Sequence, residues 1–80
     1  MSANYDDLVF NHGDPHPQTA LRPPRRATVV TTTYGGSTVT LELDVVATSP
    51  GFVCVSQPRP GAAPWNAWIP SSQAKPVERQ

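Results

Sequence analysis

What this sequence lacks limits what the protein can be. It has one cysteine in 80 residues, Cys54, which excludes an internal disulfide and therefore a disulfide-stapled mini-protein. No apolar run approaches the roughly 20 residues that cross a bilayer. The acidic start at Tyr5-Asp6-Asp7 has neither the basic residues nor the long apolar run of a signal peptide. We therefore expect a cytoplasmic protein with no membrane span, located in the host cytoplasm or the virion if a phage encodes it.

Neither sign of charge is in excess. Six basic residues balance six acidic ones, and charged residues make up only 15% of the chain. This composition excludes a highly basic nucleic-acid coat protein. A chain of 80 residues is one small domain, and such a domain buries only about 60% of its unfolded surface. No stretch has helical amphipathicity over three turns, which excludes a coiled coil.

Lysine is also scarce. The sequence has five arginines against one lysine, together with many alanines and prolines. This bias is typical of a GC-rich genome. We take an actinobacterium, or one of its phages, as the hypothetical source.

Ten prolines divide the chain into segments, and residues 25–49 contain none of them. Residues 1–25 are proline-rich and have no period of 3.6 or 2, which predicts an extended N-terminal arm, partly polyproline II near Arg22-Pro23-Pro24-Arg25. Residues 26–77 are predicted to form a small β-barrel, and residues 78–80 a tail.

A β-hairpin is predicted around Gly35-Gly36, a pair suited to a two-residue turn. The residues before it are mostly β-branched, and those after it alternate apolar with polar. A two-residue turn would pair Thr33 with Thr38 and Val30 with Leu41. The predicted buried face then consists of Thr28, Val30, Thr32, Val39, Leu41 and Leu43. The predicted solvent-exposed face carries Thr31, Thr33, Thr38 and Thr40.

In the second half of the chain, the sequence pattern predicts shorter strands. Ser49-Pro50-Gly51 suits a type II turn, with a third strand at residues 52–56 pairing with the second. A loop is predicted at residues 57–66 because it holds three prolines. A short strand at residues 67–69, a single helical turn at 71–73 and a last strand near 75–77 complete an all-β fold.

The closing residues resemble a known family. Trp68-Ile69-Pro70-Ser71-Ser72, followed by Lys75-Pro76-Val77, is similar to the end of Src-homology-3-like small barrels. The resemblance implies a five-stranded barrel over roughly residues 26–77. It departs from the family at the peptide groove, where Ser72 and Gln73 replace the family's Asn-Tyr pair and no acidic ligand-reading loop is evident. The resemblance thus supports the fold and disfavours recognition of proline-rich peptides through the usual groove.

Residues with catalytic or metal-binding chemistry are few. His12 and His16 with Asp14 are acceptable zinc ligands, but prolines beside them disfavour a helix that would align them. Cys54 falls in a predicted strand, away in sequence from either histidine, and no glycine-rich elbow surrounds a serine. We expect no catalytic site, no metal and no cofactor, and hence no enzyme.

Residues suited to contacting a partner are more numerous than residues with catalytic or metal-binding chemistry. Trp65, in a Pro-Trp-Asn sequence, is expected to be exposed or to cover an open end of the barrel, and Trp68 to be buried. Arg22, Arg25 and Arg26 cluster before the first strand and could hold phosphates while aromatic rings stack on bases. The zero net charge weighs against nucleic acid. The predicted protein-binding residues are Trp65, Tyr34, Arg22, Arg25, Arg26, Thr31 and Thr33.

These observations predict a non-enzymatic, protein-binding module, with an accessory protein of a phage or mobile element as its hypothetical origin. Two alternatives stay open: a structural minor component of a virion or other assembly, and a nucleic-acid-binding small barrel. The oligomeric state is not determined by the sequence.

Overall fold

The computed structural model describes residues 5–77, and they form a single antiparallel sheet of five strands. The strands lie in the order β4-β3-β2-β1-β5, so the predicted all-β fold is confirmed. The described range contains no helix that is long and apolar enough to cross a membrane. The strands are β1 (Thr19–Thr32), β2 (Thr38–Ser49), β3 (Phe52–Arg59), β4 (Ala62–Pro70) and β5 (Ala74–Pro76), and 3₁₀ turns cover Tyr5–Asp7 and Ser71–Gln73.

The hairpin of β1 and β2 is present, but its register is shifted by one residue from the prediction. Val29, and not Val30, pairs with Leu41. Within the turn, the amide of Gly36 donates to the carbonyl of Thr33, and Gly36 has a φ of +88°. The loop therefore contains three residues, the last in the left-handed region that glycine favours, where the prediction assumed two.

This shift reverses the buried face of β1, because adjacent residues of a strand point to opposite sides of the sheet. The side chain of Val30 is 49% exposed, whereas that of Val29 is fully buried. Thr31 and Thr33, which are predicted to lie on the solvent-exposed face, are buried as well. The predicted buried face of β1 is thus wrong. On β2 the prediction holds, since Leu43 is buried and Leu41 packs against the core.

The turn between β2 and β3 matches the sequence closely. Ser49 pairs with Phe52 across Pro50 and Gly51, and the φ of +79° at Gly51 is that of the third residue of a type II turn. The predicted third strand is confirmed, and it extends to Arg59.

The predicted loop at residues 57–66 is wrong, because most of that range lies in the hairpin of β3 and β4. Pro58 coincides with an irregularity in the pairing between Gln57 and Arg59, and Pro64 lies in β4, at the edge of the sheet. Proline has no amide hydrogen to donate, and both an irregularity and a sheet edge tolerate that loss. The single turn at Ser71–Gln73 is confirmed, and β5 follows it and pairs with β1.

The first described residues, 5–12, form part of the sheet structure, and we call them the N-terminal segment. The amide of Phe10 donates to the carbonyl of Thr32 at 2.9 Å, and the amide of His12 donates to the carbonyl of Trp68 at 2.8 Å. The segment therefore connects the end of β1 with β4, at the opposite side of the sheet. Val9 is fully buried within the hydrophobic core. The prediction that residues 1–25 lie outside the core is wrong for this segment.

A wide bulge interrupts β1 where the sequence has two consecutive prolines. Ala20 pairs with Ala47 and Arg25 with Val45, so four residues of β1 lie opposite a single residue of β2. Two prolines without amide hydrogens cannot continue the pairing, which explains the bulge. The predicted domain boundary between residues 25 and 26 therefore falls inside β1. The first four residues of the arm and the predicted tail at 78–80 lie outside the described residues.

The core is small and draws on every strand except β5, as well as on the N-terminal segment. Its buried members are Val9, Ala27, Val29, Leu43, Val45, Val55, Ala67 and Ile69. Because so few side chains form this core, each of them accounts for a large share of the apolar surface buried on folding.

Candidate functional site

Trp65 lies in β4 and is half-buried, not exposed on a loop. Its indole Nε1 donates a hydrogen bond of 2.8 Å to the carbonyl oxygen of Val9. The ring thus covers the N-terminal segment and fixes it to β4. Trp68 is buried, as predicted.

Tyr34 lies in the loop between β1 and β2, beside Trp65. The two ring centroids are 6.1 Å apart with the ring planes at 72°, an edge-to-face geometry that aromatic pairs prefer. The phenol oxygen of Tyr34 accepts a hydrogen bond of 3.2 Å from the amide of Asn11. The side chain nevertheless remains 44% exposed. The structure therefore brings together two of the seven predicted contact residues.

Two further aromatic rings, from the N-terminal segment, extend this cluster. The ring of Phe10 lies 5.0 Å from that of Tyr34 and 5.0 Å from that of His12, and Phe10 is 40% exposed. We call the four side chains Phe10, His12, Tyr34 and Trp65 the aromatic surface. The sequence prediction missed Phe10 and His12 because it placed both on a detached arm, and only the short run Leu8-Val9-Phe10 pointed to burial there.

Side-chain amides hold the N-terminal segment under the aromatic surface. The Asn11 side-chain oxygen accepts from the amide of Trp68 at 2.8 Å. Gln57 also binds the segment through two hydrogen bonds: its Oε1 accepts from the amide of Val9 at 2.9 Å, and its Nε2 donates to the carbonyl of Asp7 at 3.0 Å. The backbone below the rings is thus fixed before any ligand binds.

A glycine permits the close approach of the segment to the hairpin loop. The amide of Gly35 donates to the carbonyl of Asp6 at 3.0 Å. A Cβ atom at Gly35 would lie 2.9 Å from the Cβ of Asp6, closer than real Cβ contacts. Gly35 therefore serves the packing of the segment, whereas Gly36 serves the turn.

The three arginines predicted as contact residues lie in different surroundings. Arg26 makes exposed ion pairs with Glu42 at 3.4 Å and Asp44 at 3.3 Å. The hydrogen bond to Asp44, followed by the one to Glu42, raises the pKa of the Arg26 guanidinium above its ordinary value. Arg22 and Arg25 are exposed at the β1 bulge, and among residues 5–77 neither has an ion pair.

Thr31 and Thr33 serve the interior, which corrects the surface role predicted for them. The hydroxyl of Thr31 donates to the side-chain oxygen of Gln73 at 2.7 Å, and this bond attaches the 3₁₀ turn to β1. The hydroxyl of Thr33 accepts from the amide of Ser37 at 3.4 Å within the hairpin loop. Both side chains are at most 5% exposed and offer almost no area to a partner.

The two histidines do not converge with Asp14 on a metal site. His16 Nε2 lies 3.4 Å from Asp14 Oδ2, both groups being largely exposed, while the ring of His12 packs on Phe10. The other oxygen of Asp14 accepts from Gln18 at 2.7 Å. Within the described part of the chain, no three histidine, cysteine or acidic side chains are grouped so as to hold a metal ion.

Cys54 is buried in β3, with 6% of its surface exposed, and burial raises the pKa of its thiol. A raised pKa leaves less thiolate at any given pH, and thiolate is the reactive form. We expect a disulfide reagent such as DTNB at pH 8 to label the native protein at least ten times more slowly than the protein unfolded in guanidinium chloride. Equal rates would show that Cys54 is accessible, contrary to the packing of β3.

Comparison with known proteins gives no relatives to guide the assignment: no family model, no curated protein and no solved structure matches this chain.

Proposed function

We propose that this protein is a non-enzymatic, protein-binding module, folded as a Src-homology-3-like barrel, that contacts its partner through the aromatic surface. The observation that carries the proposal is the exposure of Phe10 and Tyr34, at 40% and 44%, in direct contact with each other. Contiguous exposed apolar groups on a soluble domain are typical of interaction sites. Tyrosine and tryptophan are also the residue types most enriched in interface hot spots.

The strand order supports the barrel assignment. β1 lies between β2 and β5, and the N-terminal segment joins β1 to β4 through the hydrogen bonds of Phe10 and His12. A sheet whose edge strand β4 is joined to β1 in this way is curved, as in small five-stranded barrels. The resemblance of Trp68-Ile69-Pro70 to the end of such barrels points to the same architecture.

The rigid support of the aromatic surface favours binding over catalysis. Rings held by the bonds of Trp65 to Val9 and of Asn11 to Tyr34 lose little conformational freedom on association. The one thiol is buried and kept protonated, which makes it a poor nucleophile. We place this function in the cytoplasm, or in a virion if a phage encodes the chain.

Nucleic-acid binding is less well supported than protein binding. Arg26, central to the predicted basic cluster, is neutralised by Glu42 and Asp44. Asp6 and Asp7 belong to the same N-terminal segment as Phe10, so the sequence close to this ring is acidic and not basic. Phosphate binding depends on a local excess of positive charge.

Phe10→Ala tests the proposal, because the Phe10 ring makes no hydrogen bond and lies at the centre of the aromatic surface. In affinity capture followed by a titration of the recovered partner, we expect the variant to bind at least about tenfold more weakly, a loss of about 1.4 kcal/mol. Val30→Ala is the control, since Val30 is also exposed but does not belong to the aromatic surface, and this variant should bind like the wild type.

Circular dichroism melts of both variants separate a binding defect from unfolding. A folded Phe10→Ala protein that retains full partner affinity would refute the role of the aromatic surface. If instead the wild type self-associates in size-exclusion chromatography with light scattering, and Phe10→Ala abolishes this, the aromatic surface joins copies of the chain. That result would favour the alternative function as an assembly component.

A further inference from the structure

A second concave site, distinct from the aromatic surface, lies where the β1 bulge separates β1 from β2. It is a groove of about 270 Å³. Its apolar wall consists of Leu21, Ala27, Val45, Val53, Ala74 and Pro76. The volume is just below the roughly 300–1,000 Å³ of pockets that hold drug-sized ligands, so the groove suits a smaller molecule.

The bulge itself creates this groove. Between the pairs Ala20–Ala47 and Arg25–Val45 the two strands carry unequal numbers of residues, so the extra residues of β1 cannot lie flat against β2. Leu21 turns toward the core and packs against it while remaining partly exposed. The groove is therefore a built feature of the pairing and has a hydrophobic floor.

One cation lies on the core side of the sheet at this groove. Arg25 pairs directly with Val45, and paired residues of an antiparallel sheet point to the same face. Val45 is buried, so Arg25 lies on the same inward face of the sheet, although its own side chain is exposed. Arg26, one residue later, points outward to Asp44 and Glu42. Within residues 5–77, Arg25 has no carboxylate partner of its own.

We propose that this groove binds a small monocarboxylate with an aliphatic body, whose chain lies on the apolar wall and whose carboxylate pairs with Arg25. An arginine offers a planar pair of donors that matches a carboxylate. Among residues 5–77, the only other polar side chains lining the groove are Thr48 and Arg26. Arg26 is already paired with Glu42 and Asp44, so the charge left for a ligand to pair with is that of Arg25. A ligand with a single negative end and a short apolar body is complementary to that arrangement.

A larger open groove nearby is less suited to a carboxylate ligand. It measures about 740 Å³ and is lined by Arg25 as well as by Arg26, Glu42 and Asp44, and the last three already pair with one another. A carboxylate that reached Arg25 from that groove would lie beside Glu42 and Asp44 and be repelled by them, whereas the lining of the smaller groove contains no carboxylate.

An NMR titration of the ¹⁵N-labelled protein with hexanoate tests the proposal. We expect saturable shifts at the amides of Leu21, Thr48, Val53 and Ala74, and at least fivefold weaker binding of hexanamide, which has the same chain without the charge. Arg25→Gln should reduce the hexanoate affinity to that of hexanamide. Lys75→Gln, the matched control, removes one positive charge from β5 at a residue that does not line the groove, and should bind like the wild type.

Four results would overturn the assignment. Linear, unsaturable shifts would mean that the groove has no ligand of this class. Equal affinities for hexanoate and hexanamide would show that the ligand's charge plays no role. An Arg25→Gln protein with unchanged hexanoate affinity would show that Arg25 does not pair with the carboxylate. A short peptide with an apolar last residue and a free carboxylate that binds at the same amides tenfold more tightly would reassign the groove to a protein terminus. Phe10→Ala should leave hexanoate binding unchanged, so this test and that of the aromatic surface can fail independently.

Discussion

Substituting Val9 by alanine is expected to lower the free energy of unfolding by about 2 kcal/mol, from lost burial and the cavity that remains. Val9 is fully buried among core side chains although it lies near the start of the chain. For a domain of this size the loss is a large part of the total stability. Urea denaturation followed by circular dichroism measures it.

Val30→Ala provides the control for this experiment, since it removes the same two methyl groups from a side chain that is 49% exposed. It should change the stability by no more than about 0.5 kcal/mol. If Val9→Ala were equally harmless, the N-terminal segment would be detached in solution and the aromatic surface would lose Phe10 and His12.

The second large effect is expected from lysine substitutions that distinguish the two possible hairpin registers. Val29→Lys places an ammonium group among Val9, Leu43 and Ile69, and no buried carboxylate compensates it within the described residues. An unpaired buried charge costs more than a small domain can supply. We expect Val29→Lys to abolish the cooperative unfolding transition.

Val30→Lys, one residue further, should remain folded within about 1 kcal/mol of the wild type, because its side chain points to solvent. The register with a two-residue turn predicts the reverse order of the two variants. Thermal melts of the pair therefore decide between the registers, and a folded Val29→Lys beside an unfolded Val30→Lys would contradict the structure.

The sequence predicts those parts of the fold that depend on local chemistry. The alternation around Leu41 and Leu43 marks the buried face of β2 because only a half-buried strand has that period. Pro50-Gly51 and the turn that follows Pro70 are set by the backbone angles of single residues. The register of the first hairpin is not predictable in this way, since Gly35-Gly36 satisfies both a two-residue and a three-residue loop.

The candidate site is predictable only in part, for a different reason. Tyr34 and Trp65 stand out as large aromatic residues, but nothing local shows that they meet. Their contact requires Val9 and Asn11 to reach β4, across more than fifty residues of sequence. Leu8-Val9-Phe10 is too short to show a period, and the prolines after it resemble those of an unstructured linker.

The bond between Asn11 and Trp68 also has a consequence for how the chain is made. These two residues are 57 positions apart, so the second is synthesised long after the first. At about 5–20 residues per second, translation separates them by roughly 3–11 s. During that interval the apolar side chains of the first residues have no β4 to cover them. The nascent protein therefore depends on β4 to cover its N-terminal segment, and a ribosome that stalls before Trp68 leaves that segment without this cover.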